Sequence, residues 1–440
     1  MKFIRKNYGA IIFISAILIT NVLLWFFSMK ADFYNNSAIL VSISGSTLLM
    51  GFLIVFLLST RMKWLVNVFG GLENVYFWHR LIAISTTAAI FVHGLISEDI
   101  GIFNNVNIPI IGSASGAGEL SRNLFLFLIA AALLAKFLKY EHFRFIHRFL
   151  VIPYLIGLYH GFFTSWVNLF SFDLLSIWMI TTSVIGLGSS LYMLLIYQTS
   201  AFSNKGIIVD KKLLNESMIE LKVLMEKEYQ FKSGQFAFIK VRDHKISQAS
   251  HPFSISGQDG KYIYFTIKTL GDFTDSLVSS LTIPTRINIT KPYGSMTFKP
   301  KTNAQLWVAG GIGVTPFLGY LRSENKINTP IHLIYSVRNE AEAVHLETFN
   351  EISKQNKNFK FTLFDSSKQG FISSTHLGLT DDTTLYMCGP RPMVQSLKKQ
   401  VSKQHPNVSI VYEAFSFTGT LVDDVLKLLK KYIRILKPKH

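Results

Sequence analysis

At 440 residues, 49% hydrophobic and 16% charged, the chain is long enough for two or three domains, and its mean hydropathy of +0.31 is too high for an ordinary soluble enzyme. The net charge of +17 fits basic residues on the inner face of a membrane, beside anionic lipid, better than a nucleic-acid partner, and none is expected. The single cysteine, Cys388, excludes structural disulfides, a four-cysteine zinc site, iron–sulfur clusters and a covalent c-type haem.

Six apolar segments come first: Gly9–Phe27, Ala38–Leu58, Phe77–Ile96, Leu124–Leu138, Phe149–Trp166 and Leu174–Tyr197. Each approaches the roughly 20 residues that cross a hydrocarbon core, the fourth being short. No small-residue cleavage site follows the first, which reads as an uncleaved helix. Lys2, Arg5 and Lys6 precede it, Arg61, Lys63 and Arg80 lie at the second-to-third connection, and Lys136, Lys139, Arg144 and Arg148 at the fourth-to-fifth. The opposite connections are poor in Lys and Arg and carry Asp32, Glu98, Asp99, Glu119 and Asp173. This asymmetry predicts a multi-pass protein of the plasma membrane with both termini in the cytoplasm.

The third segment carries His79 and His93, and the fifth helix carries His160 with His147 just before the apolar run, at spacings of 14 and 13 residues. Either spacing spans roughly 20 Å along a helix, most of a hydrocarbon core about 30 Å thick. Ionisable side chains at such depth are costly and point to function. The two helices run in the same direction, so His79 and His147 share an inner level and His93 and His160 an outer one. Two imidazoles at each level can clamp two non-covalent haems one above the other. Fourteen residues at about 100° each return to nearly one face, whereas thirteen leave His147 and His160 about 140° apart on an ideal helix. Pro153 lies between them, and a proline kink or a local change of pitch would reconcile the faces. His142 is a competing inner ligand with poorer spacing. Arg80 and Arg148, beside the inner histidines, either neutralise haem propionates or mark the cytoplasmic interface.

After Tyr197 the pattern changes to short alternating runs, such as Phe236–Val241 and Tyr262–Lys268, divided by Gly, Asp and Pro turns. This predicts a small antiparallel barrel. His251-Pro252-Phe253-Ser254-Ile255-Ser256 stands between two such strands and offers an isoalloxazine a hydroxyl and an apolar platform. Gly234-Gln235-Phe236 upstream, and Lys268 with Gly271-Asp272-Phe273-Thr274 downstream, strengthen that reading, the latter as a holder of a pyrophosphate. Lys291-Pro292-Tyr293-Gly294 closes the barrel. From Ala304 the pattern is alternating α/β. The buried strand Gln305–Ala309 runs into Gly310-Gly311-Ile312-Gly313-Val314-Thr315-Pro316 and the helical run Phe317–Arg322, a place where nucleotide phosphates can approach the backbone. A second strand, Ile331–Val337, ends at Arg338, either a reader of the adenosine 2′-phosphate of NADPH or a solvated charge. A third, Thr384–Met387, leads into Cys388-Gly389-Pro390-Arg391-Pro392-Met393, where a nicotinamide can sit. Glu413-Ala414-Phe415-Ser416-Phe417 follows the last strand.

In that order these motifs and histidine spacings resemble the NADPH oxidase and ferric reductase superfamily, specifically its bacterial members, from the second helix to Phe417. The resemblance implies a multidomain membrane protein: an all-α six-helix transmembrane bundle holding two b-type haems, an antiparallel β-barrel FAD domain and an α/β nucleotide-binding domain for NADPH or NADH. The corresponding ranges are 1–200, 201–299 and 300–417, with a basic tail at 418–440. By resemblance, His79 pairs with His147 and His93 with His160 as iron ligands. His251, Pro252, Phe253, Ser254, Lys268, Gly271, Asp272 and Thr274 line FAD. Gly310, Gly311, Gly313, Thr315 and Pro316 bind the nucleotide phosphates, with Cys388 and Gly389 beside them. Phe415 resembles the aromatic that covers the flavin, with Phe417 the alternative; Phe415 and Cys388 are the candidate catalytic residues. Superoxide-forming eukaryotic relatives commonly carry a second histidine one turn past the outer ligand, where this chain has Ser97.

The expected activity is an NAD(P)H oxidase that moves electrons from cytoplasmic NADPH through FAD and two haems to dioxygen outside, giving superoxide. The alternative is a ferric or cupric chelate reductase on the same path, and a rival class is a channel or transporter with a nucleotide-sensing module. Beyond NADPH, the bilayer and the external acceptor, no obligatory protein partner is expected. In the tail, Leu421, Val422, Val425, Leu428, Leu429, Tyr432 and Ile433 recur at helical spacing opposite Lys427, Lys430, Lys431 and Arg434. That basic amphipathic helix suits either an anionic leaflet or the surface of the reductase domain.

Overall fold

The computed structural model describes residues 7–31, 34–97, 107–108, 112–133, 145–294, 296, 298, 302–323 and 327–415. The chain divides into two compact units between Gln198 and Thr199. His142, the basic residues 136–144, Phe417 and the tail lie outside the described residues.

The first unit is helical: α1 (Tyr8–Ala31), α2 (Asn36–Ser59), a short connecting helix Lys63–Val68, α3 (Leu72–Ser97), α4 (Ala114–Leu133), α5 (Val151–Phe163) and α6 (Leu174–Leu191). Starts are capped where the sequence supplies an acceptor. Asn35 accepts from the Ala38 amide and Asp173 from the Ser176 amide, both at 2.7 Å, satisfying donors that the first turn cannot pair internally. Among the described residues five helices are long and apolar enough to cross a membrane: Tyr8–Lys30, Asn36–Ser59, Leu72–Ser97, Phe145–Phe163 and Leu174–Ile196. The sixth expected crossing, Leu124–Leu138, is not among them. Its helix α4 starts ten residues earlier, in the polar run Ala114–Asn123, and so draws Glu119, expected in a loop, into a helix. Ala114, Ala117, Ser121, Phe125 and Leu128 form its buried stripe at helical spacing, where Phe52 of α2 stacks on Phe125 at 3.9 Å. A polar tie joins three helices: Asn21 donates to Ser46 at 2.9 Å and accepts from the Trp178 indole at 3.4 Å, as polar groups in an apolar medium require.

The second unit holds two sheets. β1 (Asn204–Asn215), β2 (Met218–Met225), β3 (Phe236–Val241), β4 (His251–Ser254), β5 (Gly257–Asp259), β6 (Tyr262–Lys268), helix α7 (Asp272–Ser279) and β7 (Thr285–Ile289) form an antiparallel half-barrel in the order β4-β3-β7-β1-β2-β6-β5. The His251–Ser254 run, expected between strands, is itself the edge strand; Pro252 is tolerated there because an edge leaves its missing N–H unneeded. One apolar core, including Leu221, Ile239, Phe265 and Ile287 with Phe273 and Leu277 of α7, fills the half-barrel.

There follow β8 (Ala304–Gly310), a 3₁₀ turn Gly311–Val314, α8 (Thr315–Ser323), β9 (Ile331–Val337), α9 (Leu346–Gln355), β10 (Phe359–Asp365), β11 (Thr383–Pro390), α10 (Arg391–Gln404) and β12 (Ser409–Phe415). All five strands are parallel, in the order β10-β9-β8-β11-β12. Trp307 and Ala309 enter the core on one face and Leu306 and Val308 that on the other, the near-continuous apolar pattern of a sheet covered on both sides.

Candidate functional site

In the helical unit, α3 and the helical run Phe145–Phe163, which ends in α5, bring the four histidines together as two pairs. The ring centres of His79 and His147 stand 6.3 Å apart, those of His93 and His160 6.4 Å. A local change of pitch closes part of the angular gap that the 13-residue spacing leaves. Residues Arg148–Leu150 form a 3₁₀ turn, and three residues at about 120° rather than 100° reduce the divergence from about 140° to about 80°. Pro153 lies just past that turn, and its carbonyl accepts from the Ser121 hydroxyl at 2.7 Å.

Neighbouring helices orient the rings. His79 Nδ1 donates to the Val55 carbonyl at 3.0 Å and His160 Nδ1 to the Ala114 carbonyl at 2.9 Å. A carbonyl only accepts, so in both rings Nδ1 carries the proton and Nε2 keeps a lone pair, the arrangement of a metal-ligating imidazole. His93 Nδ1 meets the Ser44 hydroxyl at 2.9 Å. Gly118 leaves room for His160: a Cβ there would lie 2.6 Å from Nδ1. Val55, Ser44, Ala114 and Gly118 were not legible as functional, since a backbone carbonyl has no side-chain signature and an isolated small residue has many uses.

In the half-barrel, β4 and the start of α7 converge. The ring of His251 stacks on Phe273 with centres 3.9 Å apart, and Phe253 lies 6.2 Å from the same ring. Ser254 is buried and Pro252 exposed. Thr274 closes the turn before α7, accepting from the Leu270 amide at 2.8 Å and donating to the Gly271 carbonyl at 2.9 Å; Asp272 opens the helix. Lys268, which ends β6, pairs its ammonium with Glu342 at 3.2 Å.

In the parallel sheet, β8 has β9 on one side and β11 on the other, so chain order reverses at the carboxyl ends of β8 and β11, where open α/β sheets bind ligands. Gly310 ends β8 opposite Ser336, and Ala309 lies opposite Cys388. Gly311 takes φ +53°, a left-handed turn that favours glycine, and Thr315 and Pro316 open α8. A side chain at Gly313 would land on the Cys388 carbonyl, so the turn and the Cys388–Gly389 backbone touch only because residue 313 is glycine. Arg338 follows β9 and is exposed, while Cys388 is fully buried. Phe415 ends β12 in register with Pro390.

Residues 203–305 match the FAD-binding domain family and residues 307–399 the oxidoreductase NAD-binding domain family. The chain is 25% identical over 204 residues to the electron transfer component of 2-halobenzoate 1,2-dioxygenase from Burkholderia cepacia, an alignment covering 43% of this chain and 60% of that protein. It is 27% identical over 242 residues to the reductase component of propane 2-monooxygenase from Mycolicibacterium goodii, covering 49% and 68%. Among solved structures, the FAD/NAD-binding domain of nitric oxide dioxygenase from Vibrio cholerae aligns with 48% of this chain and 98% of its own, at TM-score 0.42 and 18% identity. The second unit thus carries an FAD-binding domain followed by an oxidoreductase NAD-binding domain. The same chain holds, in its other unit, five helices apolar enough to span a membrane among the described residues.

Proposed function

We propose that the protein is a transmembrane NAD(P)H oxidase of the plasma membrane, with the reductase module and both termini on the cytoplasmic side. The observation that carries this reading is the separation within the two histidine pairs, in a chain that also holds an FAD/NAD module. Metal–imidazole bonds of about 2.0–2.1 Å, with about 1.1 Å from nitrogen to ring centre on each side, put two rings sharing one metal about 6.3 Å apart. The pairs stand at 6.3 and 6.4 Å. Among the described residues no three or more of His, Cys, Asp and Glu gather, so the donor set fits a group that brings its own equatorial ligands, as a b-type haem does.

When bound, NAD(P)H supplies a hydride, FAD divides its electron pair, and two haems relay single electrons to an external acceptor. The protein's part is to hold and orient. His79 with His147 would ligate the inner haem and His93 with His160 the outer, and the Val55 and Ala114 carbonyls fix two of the four rings. Arg80 and Arg148 are placed in the sequence to meet propionates. His251 to Ser254, with Lys268 and the Gly271–Thr274 turn, would hold FAD, and Phe415 or Phe417 would cover it. The Gly310–Pro316 turn would take the nucleotide phosphates with Cys388 and Gly389 beside the nicotinamide. With its acceptor path in the same chain, the module needs no separate protein partner.

A second reading, a ferric chelate reductase, rests on Ser97. One turn past His93 it donates to the Gly94 carbonyl at 3.0 Å, at the position where superoxide-forming relatives carry histidine. Two assays on the purified chain separate the readings: cytochrome c reduction sensitive to superoxide dismutase supports the oxidase, and ferrozine-detected iron(II) without it supports the reductase. For the donor, Arg338→Ala should raise the KM for NADPH roughly tenfold or more, since a charge-assisted phosphate contact is worth about 1.5–3 kcal/mol. The KM for NADH should barely move; equal effects on both would remove Arg338 as the reader of the 2′-phosphate.

A further inference from the structure

Within the reductase unit, a polar cluster joins the half-barrel to the nucleotide-binding sheet. Glu220 on β2 and Thr266 on β6 face each other in register. Arg322 of α8 grips Glu220 with both ends of its fork, Nη1 to Oε1 at 2.7 Å and Nη2 to Oε2 at 3.5 Å. Arg322 Nη2 also donates to His345 Nδ1 at 3.4 Å, which leaves His345 Nε2–H to donate to Thr266 Oγ1 at 3.1 Å. Burial pushes the His345 ring down to about 4, against the opposing pull of Glu220 and with Arg322 and Lys212 adding to the fall. The ring is therefore neutral at neutral pH and acts as a hydrogen-bond relay rather than a charge. Two further ties flank it: Lys268 to Glu342 at 3.2 Å, and Asn215 to the Ala341 carbonyl at 3.3 Å.

The cluster grips α8, whose first residues belong to the proposed phosphate turn, and the segment that follows Arg338. α8 begins at the phosphate turn, and Gly319 lets it lie against the Ile255 carbonyl, one residue past the flavin-facing strand His251–Ser254. The segment Glu340–His345 begins two residues after Arg338. His345 itself holds φ +60°, an uncommon conformation for a residue other than glycine that persists where surrounding contacts over-determine it. The Arg322–Glu220 pair is half-buried, and ion pairs shielded from water add little net stability but can fix one arrangement of the parts they join.

We infer that Glu220, Arg322 and His345 are positioning residues that hold the nucleotide-binding sheet in one orientation on the half-barrel, so that a bound nicotinamide meets a bound flavin at hydride-transfer distance. The inference rests on the reductase reading of this unit. None of the three touches the reacting atoms, so their removal changes the geometry of transfer rather than the binding of either cofactor. A misplacement of about 1 Å is enough to cost on the order of a hundredfold in rate.

The test uses the full chain with Glu220→Gln, and Arg322→Lys as a milder variant that keeps the charge but loses the fork. Flavin reduction is followed by anaerobic stopped flow at saturating NADPH, with NADPH affinity, FAD content and hydrogen exchange measured alongside. The expected result for Glu220→Gln is a rate constant about tenfold to a hundredfold lower, with NADPH affinity and FAD content within twofold of the parent. Arg322→Lys should fall between. Exchange at residues 340–346 should speed up in both variants even without cofactors. An unchanged rate and unchanged exchange would overturn the inference, as would a slower rate matched by equal losses of FAD or of NADPH affinity. A parent chain whose flavin neither nucleotide reduces would sink the reductase reading instead, and the exchange measurement would still decide whether the cluster holds the two halves together.

Discussion

Replacing His93 or His160 by alanine should halve the haem content and reduce electron delivery to the external acceptor to background, while NADPH still reduces FAD. The reason lies in the pairing. Each outer histidine would supply one side of one iron, and the partner ring 6.4 Å away cannot span the gap alone. The inner pair depends on different neighbours, since His79 is oriented by Val55 and His160 by Ala114, so the damage should stay at one level. Haem extraction and dichlorophenolindophenol reduction by NADPH are the two measurements. Loss of NADPH oxidation with that soluble acceptor would contradict the modular assignment, and full haem content in both variants would contradict the ligand assignment.

Gly313→Ala should cripple use of both NADPH and NADH. The added Cβ would strike the Cys388 carbonyl and come within 2.7 Å of the Gly389 Cα. Both are backbone atoms at the end of β11, hydrogen-bonded between β8 and β12, so neither can move aside as a flexible side chain would. The phosphate turn must shift instead. Overpacking of this kind costs about 1–3 kcal/mol, and the displaced turn should raise KM for both nucleotides about tenfold or more, with FAD content unchanged. Arg338→Ala, in contrast, should touch NADPH alone. A nucleotide titration of flavin reduction separates them, and unchanged KM values in Gly313→Ala would mean that this turn does not receive the phosphates.

Much of the second unit was legible because its strands carry their own pattern. Phe236–Val241, Tyr262–Lys268 and Ile331–Val337 form over the residues expected, and the run Gln305–Ala309 gains one residue at each end. The His79–His93 spacing was legible for a similar reason, since a periodicity survives in any regular helix. What escaped reading was set by contacts rather than by period. The polar first half of α4 gives no apolar signal, so its start at Ala114 was missed along with the carbonyl it offers His160. The 3₁₀ turn Arg148–Leu150, which brings His147 and His160 toward one face, has no composition cue beyond Pro153 downstream. Glu220 and Arg322 stand 102 residues apart and Thr266 and His345 79 apart, so only the folded unit shows that they meet.

Whether one chain joins a flavin reductase to two membrane haems is decided by an ultraviolet–visible spectrum of the purified full chain. The expected spectrum has a b-type Soret band that shifts on reduction by dithionite and again, anaerobically, by NADPH, with two haems for each FAD. A chain that binds FAD and oxidises NADPH yet shows no Soret band would contradict it.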